Sequence, residues 1–249
     1  MKLLLILPAY NEEGNILKTV NSITAFRASK GVAGVEVDYL VINDGSTDGT
    51  EAICRKNGLN CLSLVQNLGI GGAVQTGYLY AYKNNYDIAV QFDGDGQHDI
   101  ESLPDLLAPI LEGTADFSVG SRFLEKSDTF QSTFMRRVGI KWLSFVIRLV
   151  SGLKLRDVTS GYRAANKDAI AFLAKNYPMD YPEPESSVAL KKNGFRIQEV
   201  QVNMFERSSG TSSISFGKSI YYMIKVSLAI ICAGMQRKEE APRVTSSSH

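Results

Sequence analysis

Charge of one sign is missing from this chain: 27 Lys and Arg stand against 26 Asp and Glu, a net +1 over 249 residues. No global basic field draws the molecule to nucleic acid, so any anion it binds must be met by a local cluster. Cysteine is scarce. Cys54, Cys61 and Cys232 have neither metal-ligand nor redox spacing, and an odd total without a secretory leader fits reduced thiols in the cytosol rather than a disulfide framework. Long hydrophobic runs are absent too. The apolar run at 3–7 is cut off by Pro8, Asn11, Glu12 and Glu13. It is too short for a signal-peptide core or a bilayer span and reads as a buried strand. No internal repeat is visible. The glycines of 66–73 (Gln-Asn-Leu-Gly-Ile-Gly-Gly-Ala) fit neither the Rossmann fingerprint nor a P-loop, since no Lys-Ser/Thr follows.

What is present is an ordinary globular composition, 44% hydrophobic and 21% charged, ample for one large α/β domain or two small ones. Strand candidates at 2–7, 35–42, 61–65, 88–92 and 117–119 alternate with helix candidates at about 13–26, 49–57, 70–84 and 100–111. That alternation predicts a mostly parallel, doubly wound sheet flanked by helices. Polar residues gather just after the strand ends: Asn11 and Glu12, Asp44 and Ser46, Asn67 and Gly69, Asp93 and Asp95. The ligand crevice of an open α/β sheet lies there, outside the carboxyl ends of the strands.

The strongest motif is Gln91-Phe92-Asp93-Gly94-Asp95-Gly96-Gln97-His98. An apolar strand delivers two carboxylates at i and i+2, on one face if the backbone stays extended. Two ionised carboxylates repel unless a cation lies between them or one is protonated. Oxygen ligands from Asp93, Asp95 and Gln97 suit a hard ion, Mg²⁺ or Mn²⁺, that also holds phosphates. The competing reading is a plain Asp-Gly turn. His98 alone carries little weight; its role is complete if it only orients a neighbour. At the end of the second strand, Asn43-Asp44-Gly45-Ser46-Thr47-Asp48-Gly49-Thr50 forms a tight turn in which Ser46 or Asp48 caps the next helix. With Leu7-Pro8-Ala9-Tyr10-Asn11-Glu12-Glu13 it makes a pocket with a carboxylate for a ribose or base edge and an aromatic wall. The turn at 66–73 lets backbone amides approach a diphosphate, although a glycine-rich turn is by itself ordinary packing.

The second half differs. Residues 134–155 mix Arg136, Arg137, Lys141, Arg148 and Lys154 with Trp142, Phe145 and branched aliphatics. That is the pattern of a basic amphipathic helix on a membrane surface, and equally of a helix packed on the sheet with solvated cations. An apolar segment at 220–235 is short and interrupted by Lys225. It is expected to be a peripheral or homo-oligomer-forming helix within 219–236, and the polar stretch 237–249 a disordered tail.

Three stretches together resemble the family 2 inverting glycosyltransferases of GT-A fold: Leu-Pro-Ala-Tyr-Asn-Glu-Glu at 7–13, Asn-Asp-Gly-Ser-Thr-Asp-Gly-Thr at 43–50 and Asp-Gly-Asp-Gly-Gln-His at 93–98. Three more are similar to the dolichol- and undecaprenyl-phosphate branch: Gly-Ser-Arg-Phe at 120–123, Arg-Asp-Val-Thr-Ser-Gly-Tyr-Arg-Ala at 156–164 and Phe-Glu-Arg-Ser-Ser-Gly-Thr-Ser-Ser at 205–213. The resemblance implies a GT-A, Rossmann-like sheet over 1–218, with a nucleotide-sugar part at 1–122 and an acceptor part at 123–218 whose amphipathic helices fall at about 132–155. It implies that Pro8, Tyr10, Glu12, Asp44 and Gly69 meet the nucleotide-sugar and that Asp93, Asp95 and Gln97 hold Mg²⁺ or Mn²⁺ and the diphosphate. Arg122, Arg136, Arg137 and Arg207 would meet an acceptor phosphate, and Asp157 faces the acceptor side. Ile70 stands where many relatives place Lys, and Thr-Ser at 211–212 departs from the usual loop.

The expected activity is therefore transfer from a UDP-sugar to a polyprenyl phosphate on the cytoplasmic face of a membrane, with peripheral attachment, a nucleotide-sugar donor and lipid as partners, and no nucleic acid. A saccharide hydroxyl acceptor is the alternative. It requires a carboxylate base, for which Asp157, Glu183 and Glu185 are candidates, the last two otherwise reading as an exposed, proline-stiffened turn. A non-catalytic nucleotide-sugar or lipid-binding partner is the third reading.

Overall fold

The apolar run near the N-terminus forms β1 (Lys2–Ala9) in the computed structural model, which describes residues 1–124, 134–205 and 216–236. Leu3 to Leu7 are wholly buried, as a central strand covered on both faces requires. β1 pairs in parallel with β2 (Glu36–Asn43), which pairs with β3 (Cys61–Ser63) at the edge; on its other side β1 pairs in parallel with β4 (Ile88–Gln91). Helices α1 (Ile16–Ser29), α2 (Thr50–Lys56), α3 (Gly69–Lys83) and α4 (Leu103–Leu111) connect these strands and lead to β5 (Phe117–Ser121). The expected alternation is present, with boundaries shifted by a few residues.

Alternate β1 side chains feed two cores. Leu3, Leu5 and Leu7 pack with Val20, Ile23 and Phe26 of α1 and Leu103, Leu106 and Leu107 of α4. Leu4 and Ile6 face the other way, toward Val74 and Tyr78 of α3. Each fully buried Leu or Ile contributes on the order of 1.5–3 kcal/mol. A Cβ on Gly77 would lie 2.2 Å from Ile6 Cγ2, so that glycine lets α3 sit directly on β1.

The second half completes the same sheet. After α5 (Phe134–Ser151) the chain returns as β6 (Arg163–Asn166), inserted antiparallel between β4 and β5. Then follow α6 (Lys167–Asn176), α7 (Pro182–Lys192), β7 (Ile197–Gln201) parallel to β5, and α8 (Phe216–Met235). The strand order is β3-β2-β1-β4-β6-β5-β7. Residues of α5, α7 and α8 make a third core around Leu143, Ile147, Val188, Val226 and Ile230. Lys192 Nζ donates to the carbonyls of Gly234 and Gln236, a cation at a helix C-terminus where the dipole favours one. Among the described residues no helix is long and apolar enough to cross a membrane. The 237–249 tail expectation lies outside the described residues.

Candidate active site at the sheet switch point

Strand order reverses between β1 and β4, and a crevice opens outside their carboxyl ends, as such sheets dictate. A cavity of about 470 Å³ lies there, lined by Pro8, Tyr10, Glu12, Asp44, Gly69, Asp93 and Asp95 among others. A second cavity, about 400 Å³, opens near Tyr86 and Lys167 at the opposite end of β4; its lining has no carboxylate.

One side of this cavity is knitted from the loops after β1 and β2. Asn11 adopts φ 57°, a left-handed conformation that Asn tolerates better than most residues. Its N–H donates to Ser46 Oγ at 3.0 Å and its Oδ1 accepts from Thr47 N–H at 2.8 Å. Glu12 N–H donates to Thr50 Oγ1, and Gly49 N–H donates to Glu13 Oε2. Ser46 is thus a loop tie; Asp48 accepts from Thr50 N–H at the start of α2. Asp44 is buried, with Oδ1 accepting from Leu68 N–H at 2.7 Å. That bond locks the turn before α3 to the end of β2. The glycines of that turn divide in function: Gly69 lines the cavity, whereas a Cβ on Gly71 would lie 2.4 Å from the Met179 carbonyl. Gly71 is a packing glycine.

At the end of β4 the two carboxylates are held differently. Asp95 Oδ1 accepts from Gln97 N–H at 3.0 Å. Asp93 has neutral donors around it: Gln91 Nε2 lies 3.3 Å from its Oδ1, and His98 Nε2 lies 3.6 Å from its Oδ2. Gln91 is itself fixed by the Tyr177 hydroxyl, which donates to Oε1 at 3.0 Å. Burial holds His98 below the usual imidazole range, against the pull of Asp93 and Asp95. Two carboxylates and an amide oxygen are all hard ligands, of the kind a hard divalent ion takes. Among the described residues no third His, Cys, Asp or Glu closes a cage around the pair, so the donor set is an open one.

Arg122 follows the end of β5, two strands from β4 and therefore about 10 Å away at normal strand spacing. It is buried with Asp157: Nε donates to Oδ2 at 2.6 Å and Nη2 to Oδ1 at 2.8 Å. Asp157 is completely buried. It is placed as the partner that orients Arg122, not as a carboxylate open to the crevice. Arg137 stands exposed in the first turn of α5. The Arg136 side chain and Arg207 lie outside the described residues.

Glu183 and Glu185 do not form an exposed turn; they open α7. Glu185 Oε1 accepts from Tyr181 N–H and caps that helix. Glu183 reaches Gln91, and burial raises its carboxyl above the usual range despite nearby Arg163. Sequence reasoning gave no role to Gln91, Tyr177 or Arg163. Arg163 is buried, donating to the carbonyls of Ser160, Glu183 and Val158 and to the hydroxyls of Ser186 and Ser187. The polar Gln91 closing an apolar strand was a signal; nothing local marks Arg163 as buried.

Against known proteins, residues 4–173 match the model of glycosyl transferase family 2. The chain is 31% identical to the undecaprenyl-phosphate mannosyltransferase of Micrococcus luteus, covering 87% of this chain and 89% of that one. It is 29% identical to the UDP-N-acetylglucosamine–dolichyl-phosphate N-acetylglucosaminyltransferase of Methanococcus voltae, covering 88% and 93%. Glucosyl-3-phosphoglycerate synthase of Mycobacterium tuberculosis, solved with Mn²⁺, UDP and phosphoglyceric acid, superposes with a TM-score of 0.66 at 19% identity, over 96% of this chain and 80% of that one. That likeness establishes a shared GT-A fold. By its sequence match over most of its length, this chain belongs to glycosyl transferase family 2.

Proposed function

We propose that the protein transfers a sugar, with inversion, from a UDP-sugar to a polyprenyl phosphate, making a lipid-linked sugar for cell-envelope glycan assembly. The observation that carries this reading is the pairing of an open carboxylate site at the end of β4 with a pre-oriented arginine at the end of β5. The named acceptors of the M. luteus and M. voltae relatives support it.

Pro8, Tyr10, Glu12, Asp44 and Gly69 hold the nucleotide, and Asp93, Asp95 and Gln97 hold Mg²⁺ or Mn²⁺. The bound ion supplies positive charge against the departing diphosphate. A phosphate acceptor is already anionic near neutral pH, so no general base is needed. The requirement is to bring that anion up to an anionic donor. Asp157 grips Arg122 through Nε and Nη2, fixing the plane of its guanidinium for this purpose. Arg136, Arg137 and Arg207 complete the acceptor-phosphate set.

The acceptor is reached at a membrane surface, on the cytoplasmic face, by peripheral attachment. Val138, Trp142, Phe145 and Leu149 of α5, and Tyr221, Ile224, Leu228, Ile231 and Met235 of α8, are 42–79% exposed. Their spacing puts each set on one helix face. Trp142 Nε1 donates to Ser227 Oγ and ties the two helices together. The helices carry four basic residues in α5 and two in α8, with no acidic one. Such a face suits anionic lipid. A paired copy of the chain would bring like charges together, so the lipid surface is preferred over a homo-oligomer.

Glu183 favours one second reading, a saccharide hydroxyl acceptor, because a carboxyl raised by burial beside Asp93 suits a general base. The test is Glu183→Gln. Transfer to polyprenyl phosphate within about threefold of wild type supports the phosphate acceptor, and loss of transfer to a sugar hydroxyl, with donor binding intact, supports the second reading.

A further inference from the structure

The loop 93–98 is pressed against a second segment that the nucleotide and acceptor roles leave unused. His98 is buried and stacked on Tyr162, with ring centroids 4.7 Å apart and planes 10° from parallel. Phe92 meets both rings edge-on. Asp93 N–H donates to His98 Nδ1 at 3.0 Å. A backbone N–H is always the donor, so Nδ1 carries no proton and the remaining ring proton sits on Nε2. That nitrogen faces Asp93 Oδ2 at 3.6 Å. On the same side, a Cβ added to Gly161 would lie 2.8 Å from Asp93 Oδ2. Any side chain at 161 would therefore push the carboxylate out of its place. Gln91 borders the opposite oxygen.

We propose that His98 is a positioning residue: its Nδ1 fixes the backbone of Asp93, and its Nε2 with Gly161 sets which way the carboxylate faces a divalent ion. The proposal rests on the metal-dependent reading of the site. His98 touches neither donor nor acceptor; it acts through Asp93, as a neighbour that orients a metal ligand does. The stack on Tyr162 gives the ring its fixed plane. Tyr162 and Gly161 lie just before β6, whose first residue, Arg163, pairs with Gln91 of β4.

Two variants separate the nitrogen from the ring. His98→Asn keeps an acceptor close to the place of Nδ1 and loses the aromatic stack. His98→Phe keeps the stack and loses both nitrogens. UDP binding is measured by calorimetry on the full chain, with Mn²⁺ and with chelator, and the ratio of the two affinities isolates the contribution of the metal. Thermal melting reports the fold separately. His98→Phe, which loses both nitrogens, is expected to lower the ratio by about 10- to 100-fold, and His98→Asn, which keeps the Nδ1 contact and loses Nε2, to lower it less. A ratio that follows the ring, or one unchanged in both variants, overturns the proposal. Absence of any Mn²⁺ enhancement in the wild type overturns the metal reading itself, a distinct failure.

Discussion

Asp93, after the end of β4, and Asp157, which reaches Arg122 after the end of β5, are both gripped by neighbours, but the neighbours are of opposite kinds. Asp157 meets a guanidinium, and the charges cancel inside the protein. Asp93 meets an amide and an imidazole kept neutral by burial. Among the described residues, the pair of Asp157 and Arg122 is electrostatically closed, whereas the groups that hold Asp93 set its geometry without cancelling its charge. The difference favours a cation beside Asp93 over one beside Asp157. If Arg122 meets an acceptor anion as proposed, its pairing with Asp157 leaves it direction more than net charge to offer.

The comparison is broken most severely at the open end. Asp95→Asn is expected to lower transfer by about 10³-fold or more, by analogy with loss of one strong charge-stabilising group, while the melting temperature stays near wild type. Near-normal turnover would remove the metal assignment. At the closed end the order reverses, with stability falling first. Asp157→Asn strands a buried guanidinium, a loss of about 3–5 kcal/mol, read by chemical denaturation. The double variant Asp157→Leu with Arg122→Met should recover most of that stability and none of the transfer.

A smaller effect belongs to the exposed apolar faces of α5 and α8. Trp142→Ala with Arg148→Glu is expected to weaken co-sedimentation with anionic vesicles by about tenfold or more, from a lost apolar anchor and a reversed charge. Unchanged co-sedimentation would make α5 a packing helix only. The smallest effect serves as the exposed counterpart of the buried pair. Arg196 hydrogen bonds hold the Asp116 carboxyl below its usual range. A depressed folded pKa contributes stability above the unfolded value and loses it as pH falls through the folded one. The melting-temperature gap between wild type and Asp116→Asn should therefore be small at pH 7 and close below about pH 4.

The two regions also differ in how far the sequence disclosed them. The first half consists of strand–turn–helix units whose apolar runs and turn residues are local, so β1 to β5 and the strand-end positions of Asp93 and Asp95 could be located from spacing alone. The second half depends on contacts made across the chain. β6 is four residues, Arg-Ala-Ala-Asn, with no β-branched side chain to mark it, and its antiparallel insertion between β4 and β5 has no local signature. Arg163 and Glu183 look like surface charges until α7, which carries Glu183, is folded against Arg163. Asp157 reads as an open carboxylate until Arg122, 35 residues away, is brought to it.

The most direct test of the central claim is transfer of labelled sugar from UDP-glucose, UDP-GlcNAc and GDP-mannose to a short-chain polyprenyl phosphate, with Mg²⁺ or with chelator. The account predicts label in the organic phase from a UDP-sugar, released by mild acid, absent with chelator and absent for Asp95→Asn. Donor that binds yet yields no organic-phase label, or label that persists undiminished in chelator, would contradict it.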